Sequence, residues 1–324
     1  MANRRKFLKS TAAVGAVGLT GTAGCIGNLG GSGSGDETTV NFILSPAESD
    51  VDVQKQYEPL FSYLEDETGV TIESNVAKDY AAVLQALKSG QADIADAAPA
   101  VAIAGKKAES TDIMGIRVAY GAAKYFSLMT TKASYDGINE LSDLEGKTIA
   151  FADPLSTSGS LFPLYMLSKA GLDVGGAPQG DPVDFKGQWS DHSTARETLV
   201  NRDPVKAAGT GAFSTIAHVP KDQLPKRVKD INPSIEDAGS ADPQLDLLQA
   251  SDPIPRAPIL ARRDWEADAR DDVRKALLNA EESDLIDENA DEELWFTGVT
   301  EGEISDYDPV EAVLNELGLE LGDI

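Results

Sequence analysis

From Thr39 to Ala100 the chain alternates strand-like and helix-like runs, and this alternation constrains the fold more than any other feature. "TVNFILSP" reads as a strand closed by Pro46. "VQKQYEPLFSYLEDETG" reads as a helix in which Tyr57, Leu60, Phe61 and Leu64 share one face before Gly69 ends it. "VTIESNVA" is a second strand, and "DYAAVLQALKSG" a second helix with Val83, Leu84 and Leu87 inward and Gly90 past its end. "ADIADAAPA" is a third strand entering a small-residue turn. The β-α-β-α-β order predicts an α/β fold built on a mainly parallel sheet covered by helices.

The same alternation returns further on. "YFSLMTTKA" begins a new strand; "LSDLEGKTIAFADP" supplies a short helix, a stop at Gly146 and another strand; "SLFPLYMLSKAGL" is a helix closed by Gly171. "STARETLVNRDPVKAAG" reads as a helix leading to a short strand, "DPIPRAPILARRD" as extended, and "VRKALLNAE" and "PVEAVLNELG" as helices. The doubled pattern predicts two α/β lobes, 38–130 with 250–324 and 131–249, with a ligand cleft between them. The 324 residues are enough to bury a core in each. Hinge closure around a ligand is the motion this architecture allows.

Asp and Glu number 54 against 28 Lys and Arg, a net charge of −26. That balance excludes a nucleic-acid partner, because binding a phosphate backbone needs a basic surface that releases counterions. The carboxylates are scattered and lysines are few, a pattern that resembles the proteins of extreme halophiles. At about 1 M salt the Debye length falls to about 3 Å and screens the mutual repulsion of such charges.

The first residues read as an address. "NRRKFLKSTAAVGAVGLTGTAGC" sets Arg4 and Arg5 before a weakly apolar run too short to span a membrane. It resembles a twin-arginine signal over 1–24, and its end, "TAGC", resembles a lipobox with Cys25 as the lipidation site. Cys25 is the single cysteine, so no intramolecular disulfide or thiolate metal site can form. Losing 1–24 removes four basic side chains and no acidic one, which takes the charge to −30. Residues 25–37 are a Gly/Ser-rich flexible tether, so the folded part is expected outside the cell, held by lipid on the outer face of the cytoplasmic membrane.

"FADPLSTSGSLFPLYML" gathers Ser156, Thr157, Ser158 and Gly159 between a strand and a helix. Ligands of open α/β sheets bind outside the carboxyl ends of strands, where helix N-termini offer unpaired N–H groups to anions. The hydroxyls add donors and an N-cap, and Gly159 permits close approach. A plain capped helix is the alternative on spacing alone. Pro163 implies that either the first turn is irregular or the regular helix starts nearer the proline. For an enzyme the chain is poor: it has two histidines, His192 and His218, no Gly-x-Ser-x-Gly elbow, no phosphate-binding P-loop and no Cys/His cluster. Asp153 before Pro154 reads as a turn device. Neither metal nor cofactor is expected.

"DPLSTSGSLFPLYML" and "DYAAVLQALKSGQADIA" resemble segments of the phosphonate, phosphite and phosphate solute-binding proteins of ABC importers, the PhnD type. The resemblance runs from about residue 38 to 265. It implies the two-lobed periplasmic-binding-protein type II fold, a monomer that hands its ligand to an ABC permease in the membrane, and no catalysis. It also implies that Tyr80 donates its phenol to an oxyanion from one lobe while Ser156, Thr157 and Ser158 donate from the other. "SDHSTAR" matches the segment that brings a histidine near the ligand, here His192, and Tyr125 in "KYFSLM" matches an aromatic beside the crossover strand. Members that take aminoalkylphosphonates hold the ammonium with carboxylates, where this chain has Ala212 and Ala257; Asp96 or Asp191 could stand in. "DIADAAPA" also lacks the family's aromatic. The implied ligand is phosphite, phosphate or a small phosphonate, with sulfate or a sulfonate as the alternative.

Overall fold

The computed structural model describes residues 38–286 and 292–320. Arg4, Arg5, Cys25 and the expected signal and tether lie outside the described residues. No described helix is long and apolar enough to cross a membrane.

Two sheets organise the chain. The first orders its strands as Gly298–Thr300, Thr111–Val118, Pro258–Arg262, Ile94–Asp96, Thr39–Leu44 and Thr71–Val76. The second orders Leu245–Ala250, Ser127–Lys132, Val205–Gly211, Thr148–Phe151 and Lys186–Trp189. In each, three neighbouring strands run parallel, and the returning strands pair antiparallel on one side. The sheets are therefore mixed, because the chain returns to each one from the other lobe as well as through βα crossovers.

The exchange between sheets occurs at a two-residue antiparallel pair, Lys124–Tyr125 against Ile254–Pro255. The expected crossing at residue 130 falls inside Ser127–Lys132, which pairs only within the second sheet. The return expected at residue 250 falls at the end of another second-sheet strand. The hydrogen-bonded ladders thus put both crossings at the junction of 124–125 and 254–255.

Helix Val53–Thr68 forms as its periodicity predicts: Asp52 caps its start, Gly69 ends it in the left-handed region at φ 70°, and Tyr57, Leu60, Phe61 and Leu64 are buried. Those aromatics pack against Phe42 of the adjoining strand and Phe296, with ring centroids 5.2 to 6.2 Å apart. The second lobe has its own cluster around Phe151, Phe185 and Leu167, and Trp189 stacks on Phe151 at 5.3 Å. A further buried cluster joins the lobes, setting Leu161 and Phe162 with Val101, Tyr125 and Ile254.

One correction concerns "APA" after Asp96. The expected small-residue turn opens the helix Pro99–Lys107, with proline in its first turn. Alanine-rich and buried along most of its length, that helix has no polar face to mark its period.

Candidate functional site

A cavity of about 280 Å³ opens where the strands of both sheets end. Ser45 follows Thr39–Leu44, Ala97 to Pro99 follow Ile94–Asp96, Ser156 to Ser158 follow Thr148–Phe151, His192 follows Lys186–Trp189, and Phe213 follows Val205–Gly211; all line it. Tyr80 and His192 are the first residues of their helices, and Pro99 the first of a third, so three helix N-termini converge there.

Ser156 is the best-defined donor. Its Oγ accepts the Gly159 amide at 3.1 Å, as an N-cap does, and lies 3.0 Å from His192 Nε2. His192 Nδ1 accepts the Gly211 amide at 2.9 Å, which places the imidazole proton on Nε2 and makes that nitrogen the donor to Ser156. With both acceptor directions of Ser156 used, its own hydroxyl proton is left for the cavity. Burial holds the His192 pKa down at about 3, so the ring stays neutral and the polarity of this relay does not change near neutral pH.

The turn after Ser156 resolves the Pro163 question in both directions at once. Ser160 and Leu161 both donate to the Ser156 carbonyl, at 3.0 and 3.1 Å, and Phe162 donates to Thr157, which makes 157–161 a wide π turn. The regular helix Phe162–Lys169 then begins with Pro163 in its first turn, where no amide is needed. Thr157 Oγ1 accepts the Ala100 amide at 3.0 Å and so joins the second lobe to the start of a first-lobe helix. Burial pushes the Tyr125 pKa up to about 12, and the neighbouring Ser158 hydroxyl opposes that rise. Gly159 plays a different part from the one expected. It does not line the cavity; its amide is spent on Ser156, and an added Cβ would lie 2.3 Å from Ala152 Cβ and 2.5 Å from His192 Cε1. Glycine there lets the imidazole pack against the turn.

Tyr80 is buried and lines the cavity, with its phenol pKa raised well above the usual range by desolvation and then by Asp153. Asp153 is the turn device expected: Oδ1 accepts the Leu155 amide at 2.8 Å. Its Oδ2 accepts the Tyr80 amide at 3.2 Å, a second bond between the lobes.

Three charged residues of the cavity wall escape sequence reasoning. Arg117, 2% exposed, forms a buried ion pair with Asp96 and donates to Tyr57 Oη at 2.7 Å and the Ala97 carbonyl at 3.1 Å. Asp96 is thereby committed to Arg117. Asp191, the other candidate for an ammonium partner, caps its helix and accepts from Ser193 and Thr194, and is not among the lining residues. Glu48 does line the cavity; burial raises its pKa, with a hydrogen bond from Ser214 opposing the shift. Arg256 lines it as well, 6% exposed. Of the two alanines, Ala257 lines the cavity, whereas Ala212 is buried outside it. His218 stands apart from the cavity, half-buried, with Nδ1 3.1 Å from the Pro243 carbonyl.

Chemically, the wall offers hydroxyl and phenol donors, a neutral imidazole relay and two guanidinium groups, one of them matched by a carboxylate. Among the described residues no group of His, Cys, Asp and Glu could hold a metal ion.

Comparison with known proteins agrees with this layout. The family model for the periplasmic phosphonate substrate-binding protein of ABC transporters matches residues 42–307. A phosphate-import protein of Mycolicibacterium smegmatis is 36% identical over 142 residues, which cover 43% of this chain and 44% of that protein. A phosphonates-binding periplasmic protein of Escherichia coli is 24% identical over 251 residues, 75% of this chain and 66% of that protein. The chain thus spans less than two thirds of the length of either relative. The solved structure of a binding-protein component of an ABC phosphonate transporter from Pseudomonas aeruginosa superposes with a TM-score of 0.66, at 23% identity and 87% coverage of both chains, and so shares the fold.

Proposed function

The chain belongs to the phosphonate substrate-binding family of ABC transporters, and we propose that it captures a phosphorus oxyanion in the cavity between its lobes and delivers it to a membrane permease. Phosphate, phosphite and small phosphonates are the ligands meant. One observation carries the reading: the hydroxyls of Ser156, Thr157 and Ser158 and the phenols of Tyr80 and Tyr125 line a single cavity at the strand ends. Such donors suit the oxygens of a tetrahedral anion, and their partners are already arranged. Likeness to a phosphate-import protein and to a phosphonates-binding protein supports the choice of phosphorus over sulfur.

Binding from both lobes favours the closed form. The bonds from the Ala100 amide to Thr157 and from the Tyr80 amide to Asp153 form only when the lobes meet. At the rim the Ser49 amide donates to Ser193 Oγ at 3.1 Å, and Arg196 pairs with Asp50 at 3.2 Å. A ligand touching Ser156 to Ser158 on one side and Tyr80 on the other shifts the population toward this arrangement. The role is capture and presentation, not catalysis. We place the mature protein outside the cytoplasmic membrane as a lipid-anchored monomer, on the strength of the leader pattern and Cys25.

Isothermal titration with phosphate, phosphite, methylphosphonate and sulfate tests the reading. A phosphorus oxyanion is expected to bind most tightly; a clear preference for sulfate would transfer the same fold to a sulfur oxyanion.

A further inference from the structure

Arg256 is buried in the cavity wall at 6% exposure, and no described carboxylate pairs with it. Its Nε donates to the Ala122 carbonyl at 2.7 Å, and the guanidinium carbon lies 5.8 Å from the Trp295 ring centre. Its backbone is pinned on both sides, the amide donating to Ala123 and the carbonyl accepting from Tyr307 Oη at 2.7 Å. Among the described residues the remaining guanidinium donors have no partner.

The titratable groups that act on Arg256 are Tyr125, a neutral phenol, and Arg117, a cation already matched by Asp96. Desolvation is the largest influence and pulls the Arg256 pKa down to about 10, so the group remains charged at neutral pH but is poorly satisfied. Burying an unpaired cation is costly unless an anion meets it. Tyr125 connects the charge to the hydroxyl cluster, since Arg256 and Ser158 both act on its phenol and all three line the cavity. The unmatched cation therefore stands one side chain away from the donors that grip the ligand's oxygens.

We propose that Arg256 selects the ligand by charge, making the cavity favour dianionic tetrahedral oxyanions over monoanions of the same shape. The proposal rests on the oxyanion reading above and deepens it. Hydroxyl and phenol donors see three oxygens on a tetrahedral centre and cannot separate a phosphonate from a sulfonate. A fixed positive charge can, because the phosphonate carries a second negative charge above its second ionisation and the sulfonate never does. The substrate class is thereby narrowed to tetrahedral dianions, which charge alone leaves as phosphate, phosphite, phosphonates and sulfate, with sulfonates and other monoanions rejected.

Methylphosphonate and methanesulfonate are matched in shape and differ in charge. Calorimetry on the full chain, above the second ionisation of the phosphonate, is expected to show the wild type preferring methylphosphonate by at least about 30-fold. Arg256→Gln should narrow that preference by about tenfold or more, and Arg256→Lys, which keeps the charge, should retain most of it. An unchanged preference in Arg256→Gln overturns the proposal. A second measurement needs no variant: in the wild type, the ratio of the two affinities should climb as pH rises through the phosphonate's second ionisation. Taking the ratio cancels any titration of Glu48, which lines the same cavity and affects both ligands. A flat ratio contradicts the proposal even if the glutamine variant does not fold. Failure of the wild type to bind either ligand would strike at the oxyanion reading itself.

Discussion

His192 and Ser156 are joined by a hydrogen bond of 3.0 Å whose direction is set from behind, because the other ring nitrogen of His192 already accepts the Gly211 amide. A histidine that looks like a ligand contact in the sequence is thus first of all a positioning residue. It turns the Ser156 proton toward the cavity. Its neutrality is also a statement about stability, and this leads to the first prediction.

The His192 pKa is about 3 in the folded chain against the ordinary 6.5, so the unfolded state binds more protons at every pH between those values. Stability from this group is complete above about pH 6.5, falls as pH drops, and stops falling below about pH 3; the whole span is roughly 5 kcal/mol. His192→Gln should flatten the acid limb of a pH–stability curve between pH 6 and 4, although it lowers stability at neutral pH. Chemical denaturation across that range checks this, and parallel acid limbs for variant and wild type would contradict it.

The second prediction concerns amines. Aminoethylphosphonate should bind more weakly than methylphosphonate, because its ammonium meets the unmatched Arg256 while Asp96 is held by Arg117. Glu48 is the one lining carboxylate left to receive it. We expect a penalty of about tenfold or more, and a further loss in Glu48→Gln. Competition calorimetry decides the point; tighter binding of the amine would refute the charge argument.

The third prediction follows from the net charge of −26. Dialysis from molar salt into dilute buffer should lower the unfolding temperature markedly as screening is lost. Circular dichroism melts at a series of salt concentrations measure it, and a melting temperature independent of salt would remove the halophile reading.

Fourth, Cys25→Ser should abolish membrane retention and leave ligand affinity unchanged, since the residue precedes in sequence every residue that lines the cavity. Fractionation with a binding assay on the soluble pool checks both halves. A variant still found in the membrane would disprove lipid anchoring.

Much of the architecture was legible because its helices are amphipathic. Tyr57, Leu60, Phe61 and Leu64 mark one face of a helix with polar residues opposite, and Gly69 and Gly90 punctuate their helix ends. Strands and helices without such contrast were hidden. Thr111–Val118, between two neighbours in its sheet, shows no clean alternation, and Arg117 went unnoticed with it. The Ser156 to Ser158 cluster could be read since it is contiguous and sits at a strand end. The charged wall could not be assembled: Asp96, legible only as a stand-in carboxylate, and Arg117 are on strands separated by a helix, while Glu48 and Arg256 stand in short connections where no local period exists. Only the folded chain brings these four to one cavity. The role of Gly159 was mistaken for a related reason, as the group it accommodates is His192 from another element.

The central claim is that these hydroxyls hold a phosphorus oxyanion, and the most direct test is calorimetry of methylphosphonate on the wild type and on Ser156→Ala combined with Thr157→Val. Each deleted hydroxyl removes a hydrogen bond to a charged ligand, worth roughly 1.5–3 kcal/mol. The valine also leaves the Ala100 amide without its partner in the closed form. The account predicts loss of affinity by at least about 100-fold with the fold retained by circular dichroism. Full affinity in the double variant would contradict it.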